Sequence, residues 1–246
     1  MATMELCNLC EAGNLDAVKE RIKGGYTIGR GSNPLYYAIE GGHIDVLEYL
    51  LAEPSLTSLD LLGPFLHAVR KNPKLALYLL DEYSRIDVTS SDYFDKEEDK
   101  SLALESAVHA YIENDPNHMI DTMYASYIQD DRCSSDPERR KMEYDTYDVE
   151  KFEYAKTVLD RILDKIIENP DITISSSQFE DLVYSDVPEV VLRLLRAKKT
   201  TPTLKAFHNL ADLYGKDPAE TESEGTVGEI VKELLTYPHI SEVVSI

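Results

Sequence analysis

The spacing in this chain that most resembles a metal or redox site is Cys7-x-x-Cys10. A structural zinc site takes four ligands, and no second Cys or His pair has a matching spacing. A thioredoxin-like motif would follow a β-strand, and no strand is predicted before Cys7. We therefore predict that both thiols pack in an apolar core, and that the protein holds no metal ion and no other cofactor.

Other arrangements typical of catalysis are missing from the sequence. The six histidines are scattered and form no His-Glu-x-x-His motif. No glycine-rich nucleotide loop and no Gly-x-Ser-x-Gly elbow is present. The acidic run from Asp92 to Lys100 lacks the spacing of a calcium-binding loop, so a solvated loop is the simpler interpretation. The sequence therefore predicts no catalytic residues and a protein that is not an enzyme.

The balance of charge limits the possible partners. The chain has 46 acidic and 25 basic side chains, for a net charge of −21. Such a surface repels phosphate backbones and anionic lipids, which argues against nucleic acid and against membranes as partners. Solubility alone is the simpler explanation for the acidity. If the charge serves binding, it favours a protein partner with a basic patch.

The sequence also bears on the cellular compartment. Three cysteines argue against a disulfide scaffold. The first twenty residues carry acids and no apolar segment, and no apolar run reaches the roughly 18 residues that cross a bilayer. We therefore expect a soluble protein in a reducing, cytoplasmic compartment. Export by a signal-free bacterial secretion system would leave no trace in the sequence.

A repeated apolar pattern indicates how the chain is built. After His43, apolar side chains at Val46, Leu47, Leu50 and Leu51 fall on one face of an α-helix. The same spacing recurs in five further segments, which begin at Asn14, Asn72, Lys156, Val187 and Val227. Internal repetition of this kind is typical of repeat architectures.

The helix before each such segment recurs as well. Residues 6–13 align with residues 35–42, 29 positions later, and residues 64–69 and 201–207 fit the same pattern. Proline at the first helical position is favourable because its missing N–H needs no partner there. Two further helix starts are predicted from capping boxes, Ser177-x-x-Glu180 and Thr226-x-x-Glu229.

These residues resemble the ankyrin repeat, whose pattern runs from Thr-Pro-Leu-His through an Ala-Ala pair and Gly-His to a final Leu-Leu. Its counterparts here are Asn33-Pro34-Leu35-Tyr36, Ala38-Ile39, Gly42-His43 and Leu50-Leu51. The resemblance is clearest over residues 4–85. It implies an all-α, ankyrin-type helical-repeat solenoid of about five or six helix pairs in a single domain, residues 1–246. An irregular centre is expected over 86–150, with divergent repeats over 151–246.

The repeat explains why the predicted helices are so short. A helix of some ten residues is marginal in water by itself. Stacked against similar neighbours, each helix pair buries its apolar face on both sides. Because the stack is held by near-neighbour contacts, its long surface is left available for binding.

The centre of the chain leaves two alternatives open. A first helix is predicted over residues 101–115, but the next segment with the pattern of a second helix starts only near Tyr154. Residues 116–128 could be the partner helix, followed by an acidic loop. Alternatively, the whole stretch is an insertion within one repeat. Apolar residues such as Met119 and Met123 slightly favour the partner helix.

The resemblance also implies which residues meet a partner. In ankyrin-like stacks the groove is formed by repeat turns and first helices, and His43 at the helix–helix turn has a local structural role. The matching partner-binding positions are Asn8, Glu11, Tyr37, Glu40, His67, Arg70, Lys205 and His208, with Tyr26 and Arg30 in the first inter-repeat turn. The 16 tyrosines, against five phenylalanines and no tryptophan, suit half-buried contact surfaces. The predicted function is therefore non-catalytic binding of a protein partner in an acidic, tyrosine-rich groove.

Two other functions compete with this prediction. One is an enzyme with a site in the central insertion, around His118, Tyr124, Asp130, Cys133 or Glu143. The other is a bacterial effector that uses its repeats to bind host proteins, in which case the protein would act in the host cell cytosol. The sequence itself does not distinguish a cytoplasmic adaptor from such an effector.

Overall fold

The computed structural model describes residues 2–26, 33–53, 61–82, 86–89, 94–95, 100–115, 148–185, 187–214 and 224–244. In these ranges the chain forms thirteen α-helices. In chain order they are α1 (Ala2–Glu11), α2 (Leu15–Lys23), α3 (Pro34–Gly41), α4 (Ile44–Ala52), α5 (Leu62–Lys71), α6 (Pro73–Glu82), α7 (Leu102–Asn114), α8 (Val149–Glu168), α9 (Ser176–Tyr184), α10 (Pro188–Arg196), α11 (Leu204–Tyr214), α12 (Glu224–Leu234) and α13 (Pro238–Val244).

The fold is all-α, as the sequence predicts. Among the described residues, the one exception is a two-residue antiparallel ladder just before α7. In it, β1 (Phe94–Asp95) pairs with β2 (Lys100–Ser101). Across the described ranges, no helix combines the length and apolar character that spanning a bilayer requires.

The chain divides into two compact units. Unit 1 comprises Met1–Asp87 and His109–Asp160, and unit 2 comprises Val88–Val108 and Arg161–Ile246. The division falls within α7 and within α8, so each of these helices contributes residues to both units.

In unit 1 the first helices of the repeats stack side by side. Helix α1 packs against α3, α3 packs against α5, and each is followed by a second helix that packs against it. At one stacked position the buried residues are Leu6, Leu35 and Phe65, all at most 1% exposed. Burial of these apolar side chains is the main stabilising contribution, at roughly 1.5–3 kcal/mol for each one.

The second helices bury the predicted apolar face. In α4, Val46, Leu47 and Leu50 are almost fully buried, whereas Leu51 is only half-buried. The matching residues of α6 and α10 are all buried. In α12 the last matching residue, Leu235, lies one residue beyond the end of the helix at Leu234 and is 38% exposed.

Unit 2 repeats the arrangement with different sequences. Helix α9 packs against α11 and α11 against α13, while α10 packs against α12. The extended segments before α9 and α11 are joined by a hydrogen bond from the Ile174 N–H to the Lys199 carbonyl (2.6 Å). His239 adds a contact from its Nε2 to the Pro202 carbonyl oxygen (2.8 Å).

Both predicted capping boxes are wrong. The N-cap of α9 is Ser175, whose hydroxyl accepts from the Gln178 N–H, so the cap lies two residues before the predicted cap at Ser177. Thr226 lies inside α12, which begins at Glu224. The Ser-x-x-Glu pattern failed at α9 because two serines precede Ser177 and either can also cap a helix.

The outward surfaces of the second helices are bridged from one repeat to the next. In unit 1, the Lys19 ammonium lies 5.7 Å from the Tyr49 ring centroid, and the Tyr78 hydroxyl donates to Glu48 (2.7 Å). Lys74 then contacts the Tyr154 ring of α8. Several tyrosines therefore link neighbouring repeats on the outer surface, away from the predicted groove.

In unit 2 the corresponding bridges are ion pairs. Arg193 of α10 pairs with Asp164 of α8, and Arg196 pairs with Glu229 (2.5 Å) and Glu233 (3.7 Å) of α12. These side chains are a third to a half exposed, so each pair contributes about 0–1 kcal/mol. Together they join three successive second helices.

Candidate binding surface

The predicted first-helix residues of unit 1 form one surface. Asn8 and Glu11 lie on α1, Tyr37 and Glu40 on α3, and His67 and Arg70 on α5, at equivalent positions of three stacked helices. Four of them are exposed, while Tyr37 and His67 are half-buried. We call this surface the unit 1 face; it also includes His109 and Glu113 of α7.

His67 and Glu40 connect two repeats on this face. The Nε2 atom of His67 lies 2.7 Å from a carboxylate oxygen of Glu40. The ring of Tyr36 covers the imidazole, with the two centroids 5.3 Å apart. The hydroxyl of Tyr36 in turn lies against Gly63, where an added Cβ would be only 2.0 Å from it. A glycine at this point lets the tyrosine pack beside His67.

Arg70 continues the face toward α7. Its guanidinium lies 3.7 Å from a carboxylate oxygen of Glu113, and the Nδ1 atom of His109 lies 3.3 Å from the same oxygen. All three side chains are about half exposed. Solvent therefore screens these pairs, and they remain available to another molecule.

The unit 1 face carries charges of both signs. Glu40 and Glu113 are matched by neighbouring cationic or titratable groups, and within the described residues the carboxylate of Glu11 has no ion-pair partner. Asn8 and Tyr37 add uncharged polar groups. The arrangement offers hydrogen bonds, an aromatic ring and exchangeable ion pairs, which are features of a protein contact surface.

His43 ties the helix–helix turn to the preceding repeat. Its Nε2 atom lies 3.0 Å from the carbonyl oxygen of Glu11, 32 residues earlier. The imidazole fills the space beside Gly13 and Gly41, where an added Cβ would come within 2.5 Å of the ring. The bond therefore crosses between repeats, whereas the sequence predicts only a local role for His43.

The two predicted turn residues have different outcomes. Tyr26 follows α2 and is half-buried, and its hydroxyl is buried with no hydrogen-bond partner among the described residues. Arg30 lies outside the described ranges. Their predicted contact with a partner therefore stays a prediction.

In unit 2, Lys205 and His208 lie exposed on α11. The Lys205 ammonium donates to a carboxylate oxygen of Glu180 on α9 (2.7 Å), and the Thr203 hydroxyl donates to the other oxygen (2.5 Å). These bonds, first from Lys205 and then from Thr203, lower the pKa of the Glu180 carboxyl below its ordinary value. The hydrogen bond that Lys205 donates to Glu180 also raises the pKa of Lys205.

Sequence reasoning missed three exposed residues on first helices: His109, Glu113 and Tyr184. Tyr184, 59% exposed, ends α9. A simple signal would have found two of them. Arg70 follows the buried pair Ala68-Val69, His109 follows Ala107-Val108, and Tyr184 follows Leu182-Val183. The residue after each buried pair points outward.

The thiols of Cys7 and Cys10 are free and almost fully buried, which confirms their predicted place in the core. Burial raises the pKa of Cys10 to about 12, with a smaller contribution from the neighbouring Cys7. Burial also raises the pKa of Cys7. Both thiols are therefore protonated at neutral pH, which makes them poor nucleophiles and poor metal ligands.

The residues suggested for a catalytic site in the centre, His118, Tyr124, Asp130, Cys133 and Glu143, lie outside the described part of the chain, as do both alternatives for residues 116–128. In the described part, no group of three or more His, Cys, Asp or Glu side chains is placed to hold a metal ion.

Comparison with known proteins agrees with this geometry. A family model for ankyrin repeats, in three copies, matches residues 6–92. This range covers α1 from Leu6 onward, all of α2, and the helix pairs α3–α4 and α5–α6. No curated protein and no solved structure matches the chain.

Proposed function

Because residues 6–92 match a family model for ankyrin repeats, we propose that the protein works without catalysis, by binding a protein partner on the unit 1 face. Ankyrin repeats are protein–protein interaction modules, which supports a partner of this class. The observation that carries the proposal is the alignment of exposed, exchangeable side chains on three stacked first helices within the matched range.

We place the centre of the contact at Tyr37 and Arg70. Tyrosine and arginine are enriched among residues that dominate binding energy, because each combines a large contact area with a polar end. Tyr37 is half-buried, so little of its rotational freedom is lost on binding. Among the described residues, Arg70 has one ion pair, at 3.7 Å with Glu113, which a carboxylate of the partner can replace.

The partner on this face carries a basic patch. The net charge of −21 favours cationic partners over a long range, and Glu11 presents a carboxylate that no described residue pairs. Binding should therefore weaken about tenfold or more between low and moderate salt. Equal dissociation constants at both salt concentrations would contradict the basic patch. They would not test where on the protein the partner binds.

An affinity capture with matched baits tests the location. The full-length protein and the double variant Tyr37→Ala/Arg70→Ala are immobilised, and proteins retained from a cell extract are quantified by mass spectrometry. A protein retained by the first bait is then purified and titrated by calorimetry. We expect at least a tenfold weaker Kd for the double variant, because alanine removes two anchor side chains.

The control variant is Glu20→Ala/Lys23→Ala. Both side chains are exposed on α2, a second helix, and neither lies on the unit 1 face. This variant should bind like the unchanged protein. Equal recovery of the partner by the Tyr37/Arg70 variant would refute the location.

We also propose that residues 151–246 are divergent repeats of the same type. The support is the stack α9, α11 and α13 with α10 and α12 beside it. A reducing, cytoplasmic location fits the two described free thiols; for an effector this would be the host cytosol. Fractionation of cells that make the protein would test the location.

A further inference from the structure

Tyr184 occupies a position of the first helix that is charged in unit 1. Like Glu40 of α3 and Arg70 of α5, it directly follows a buried pair of apolar residues. Glu40 and Arg70 each pair with the next first helix, through His67 and Glu113. Tyr184 instead ends α9 with its side chain 59% exposed. Tyrosine is enriched at protein interfaces, so α9 offers an aromatic contact where unit 1 offers a charge.

Two carboxylates lie beside this ring. Glu180 and Asp181 precede Tyr184 by four and three residues, so the three side chains are neighbours on the surface of α9. Asp181 is exposed, and it lies in a last helical turn that contains no basic residue. The C-terminal end of a helix carries a partial negative charge, and the face of an aromatic ring also attracts cations. All of these features favour a cation at this end of α9.

The structure already places a cation against these residues. The Lys205 ammonium donates to Glu180 (2.7 Å), while the side chain of Lys205 is 69% exposed. This bond is the main cause of the raised pKa of Lys205, and Tyr184 and Asp181 add smaller contributions of the same sign. The three α9 side chains therefore act together on one ammonium. Because the stem of Lys205 is flexible and solvated, another cation can replace it.

Arginine fits this arrangement better than lysine does. An ammonium is a compact charge, and that of Lys205 contacts Glu180 while the ring of Tyr184 stays exposed. A guanidinium is planar, so it can pair with a carboxylate and stack on an aromatic ring at the same time. The net charge of −21 also draws cationic proteins toward the molecule.

We propose that Glu180, Asp181 and Tyr184 form a binding site for an arginine side chain of a basic protein segment, and that Lys205 occupies this site in the unbound protein. We call it the α9 site. Lys205, which the sequence predicts as a partner contact, then acts as an internal competitor of the partner. The inference goes beyond the proposed function, because it concerns unit 2 alone and holds or fails whatever binds to the unit 1 face.

Binding is tested with the peptide acetyl-Gly-Arg-Gly-amide. It is titrated at low ionic strength into the 15N-labelled full chain, and backbone amide shifts are followed by NMR. We expect saturable shifts at residues 180–185 and 203–206. The same peptide with citrulline in place of arginine has nearly the same shape without the charge and should shift none of them. Unmoved amides at 180–185, or equal shifts with the citrulline peptide, would overturn the proposal.

Substitution of Lys205 separates competition from direct contact. Lys205→Met keeps an apolar stem and removes the charge, so the peptide should bind about threefold more tightly. Lys205→Arg keeps a competing cation and should not tighten binding. Weaker or unchanged binding by Lys205→Met would show that Lys205 does not compete for the α9 site, and the proposal would be wrong.

Substitutions on α9 test the other contacts. Tyr184→Ala and Asp181→Asn should each weaken binding about threefold, whereas Tyr184→Phe keeps the ring and should bind like the unchanged chain. The control is Glu168→Gln, which removes an exposed carboxylate from α8, a second helix. Equal losses in Glu168→Gln and Asp181→Asn would mean that the peptide responds to net charge alone. That result, or full binding by Tyr184→Ala, would refute the site.

Two further ligands decide the chemistry. Acetyl-Gly-Lys-Gly-amide should bind about threefold more weakly than the arginine peptide, because an ammonium does not stack on the ring as a guanidinium does. Magnesium chloride at matched ionic strength should not shift the same amides. Equal affinity for the lysine peptide, or shifts of these amides with magnesium, would show a site for any cation and would overturn the arginine assignment.

Discussion

At the scale of single residues, close packing at the helix–helix turns decides which side chains are tolerated. His43 reaches the Glu11 carbonyl only because Gly13 and Gly41 leave room for its imidazole. A Cβ at Gly41 would lie 2.2 Å from the Glu11 carbonyl oxygen, which is backbone and cannot rotate away. The turn and the bond between repeats therefore depend on the same small residue.

Gly41→Ala should lower the free energy of unfolding by about 1–3 kcal/mol, because the added methyl overpacks the turn. Gly228→Ala is the matched control. Gly228 lies exposed in α12 with nothing within 4 Å of an added Cβ, so alanine should stabilise that helix by up to about 1 kcal/mol. Denaturant midpoints of both variants check this, and a shift of the same sign in both would contradict the packing argument.

The buried thiol of Cys10 should make the free energy of unfolding depend on pH in the alkaline range. Its pKa is about 12 in the folded protein, above the ordinary thiol value, so the folded state keeps a proton that the unfolded state releases. The stabilisation is fully present below the unfolded pKa and is lost as pH rises toward 12, at about 1.4 kcal/mol per pH unit.

Cys10→Ala removes this dependence. The variant should be less stable than the unchanged protein at pH 7.5, by about 1 kcal/mol, and the difference should shrink or reverse by pH 10.5. Unfolding free energies from urea titrations at both pH values measure it. A constant difference between the two proteins would show that burial does not control this thiol.

At the scale of elements, the sequence predicts where helices lie better than where they begin. The apolar period placed α4, α6, α8, α10 and α12 because burial imposes it over several turns. A helix start depends on one cap, and at α9 three adjacent serines competed for that place. The apolar pattern could not predict the hydrogen-bond partners of Glu180, since Thr203 and Lys205 are 23 and 25 residues away in the sequence.

The same limit applies to the binding surface. The repeat register predicted Tyr37, Glu40, His67 and Arg70 as exposed first-helix positions. The structure brings them together, with Glu40 and Arg70 exposed and Tyr37 and His67 half-buried. It did not predict that Glu40 and His67 form a pair, because side-chain directions across a stack depend on packing.

The link between α9 and α11 predicts a dependence on acidic pH. Hydrogen bonds from Lys205 and Thr203 lower the folded pKa of Glu180, so the unfolded state binds a proton more readily. The resulting stabilisation is present above the ordinary pKa of a glutamate and is lost as pH falls through the folded value.

Glu180→Gln should therefore be less stable than the unchanged protein at pH 7, and the difference should shrink as the pH falls below the ordinary pKa of a glutamate. Thermal unfolding at several pH values measures the difference. The control is Glu242→Gln, which makes the same kind of change at an exposed carboxyl of α13. If that variant showed the same convergence, the effect would reflect the net charge and not the link to α11.

At the scale of the whole molecule, near-neighbour stacking predicts that a destabilising substitution affects mainly the unit that contains it. Leu47 of α4 and Leu194 of α10 are both at most 1% exposed, and they belong to units 1 and 2. In a repeat stack the stability is close to a sum of terms from each repeat and its neighbours. A cavity in one unit should then loosen that unit first.

Leu47→Ala and Leu194→Ala should each cost about 2–5 kcal/mol locally. Hydrogen exchange read by mass spectrometry should show faster exchange in α3–α6 for the first variant and in α9–α12 for the second. Each variant serves as the control of the other. Uniformly faster exchange in both units for either substitution would mean that the molecule opens as one cooperative body.

The fluorescence of the tyrosines that bridge repeats on the outer surface can report whether those repeats are in contact. The chain has 16 tyrosines and no tryptophan, so its ultraviolet emission comes mainly from phenol rings. Tyr78 and Tyr154 are hydrogen-bonded to glutamate carboxylates, an arrangement that quenches phenol fluorescence. Separation of α4 from α6 would free the Tyr78 ring and brighten the signal, so the spreading of neighbouring repeats can be followed without a dye.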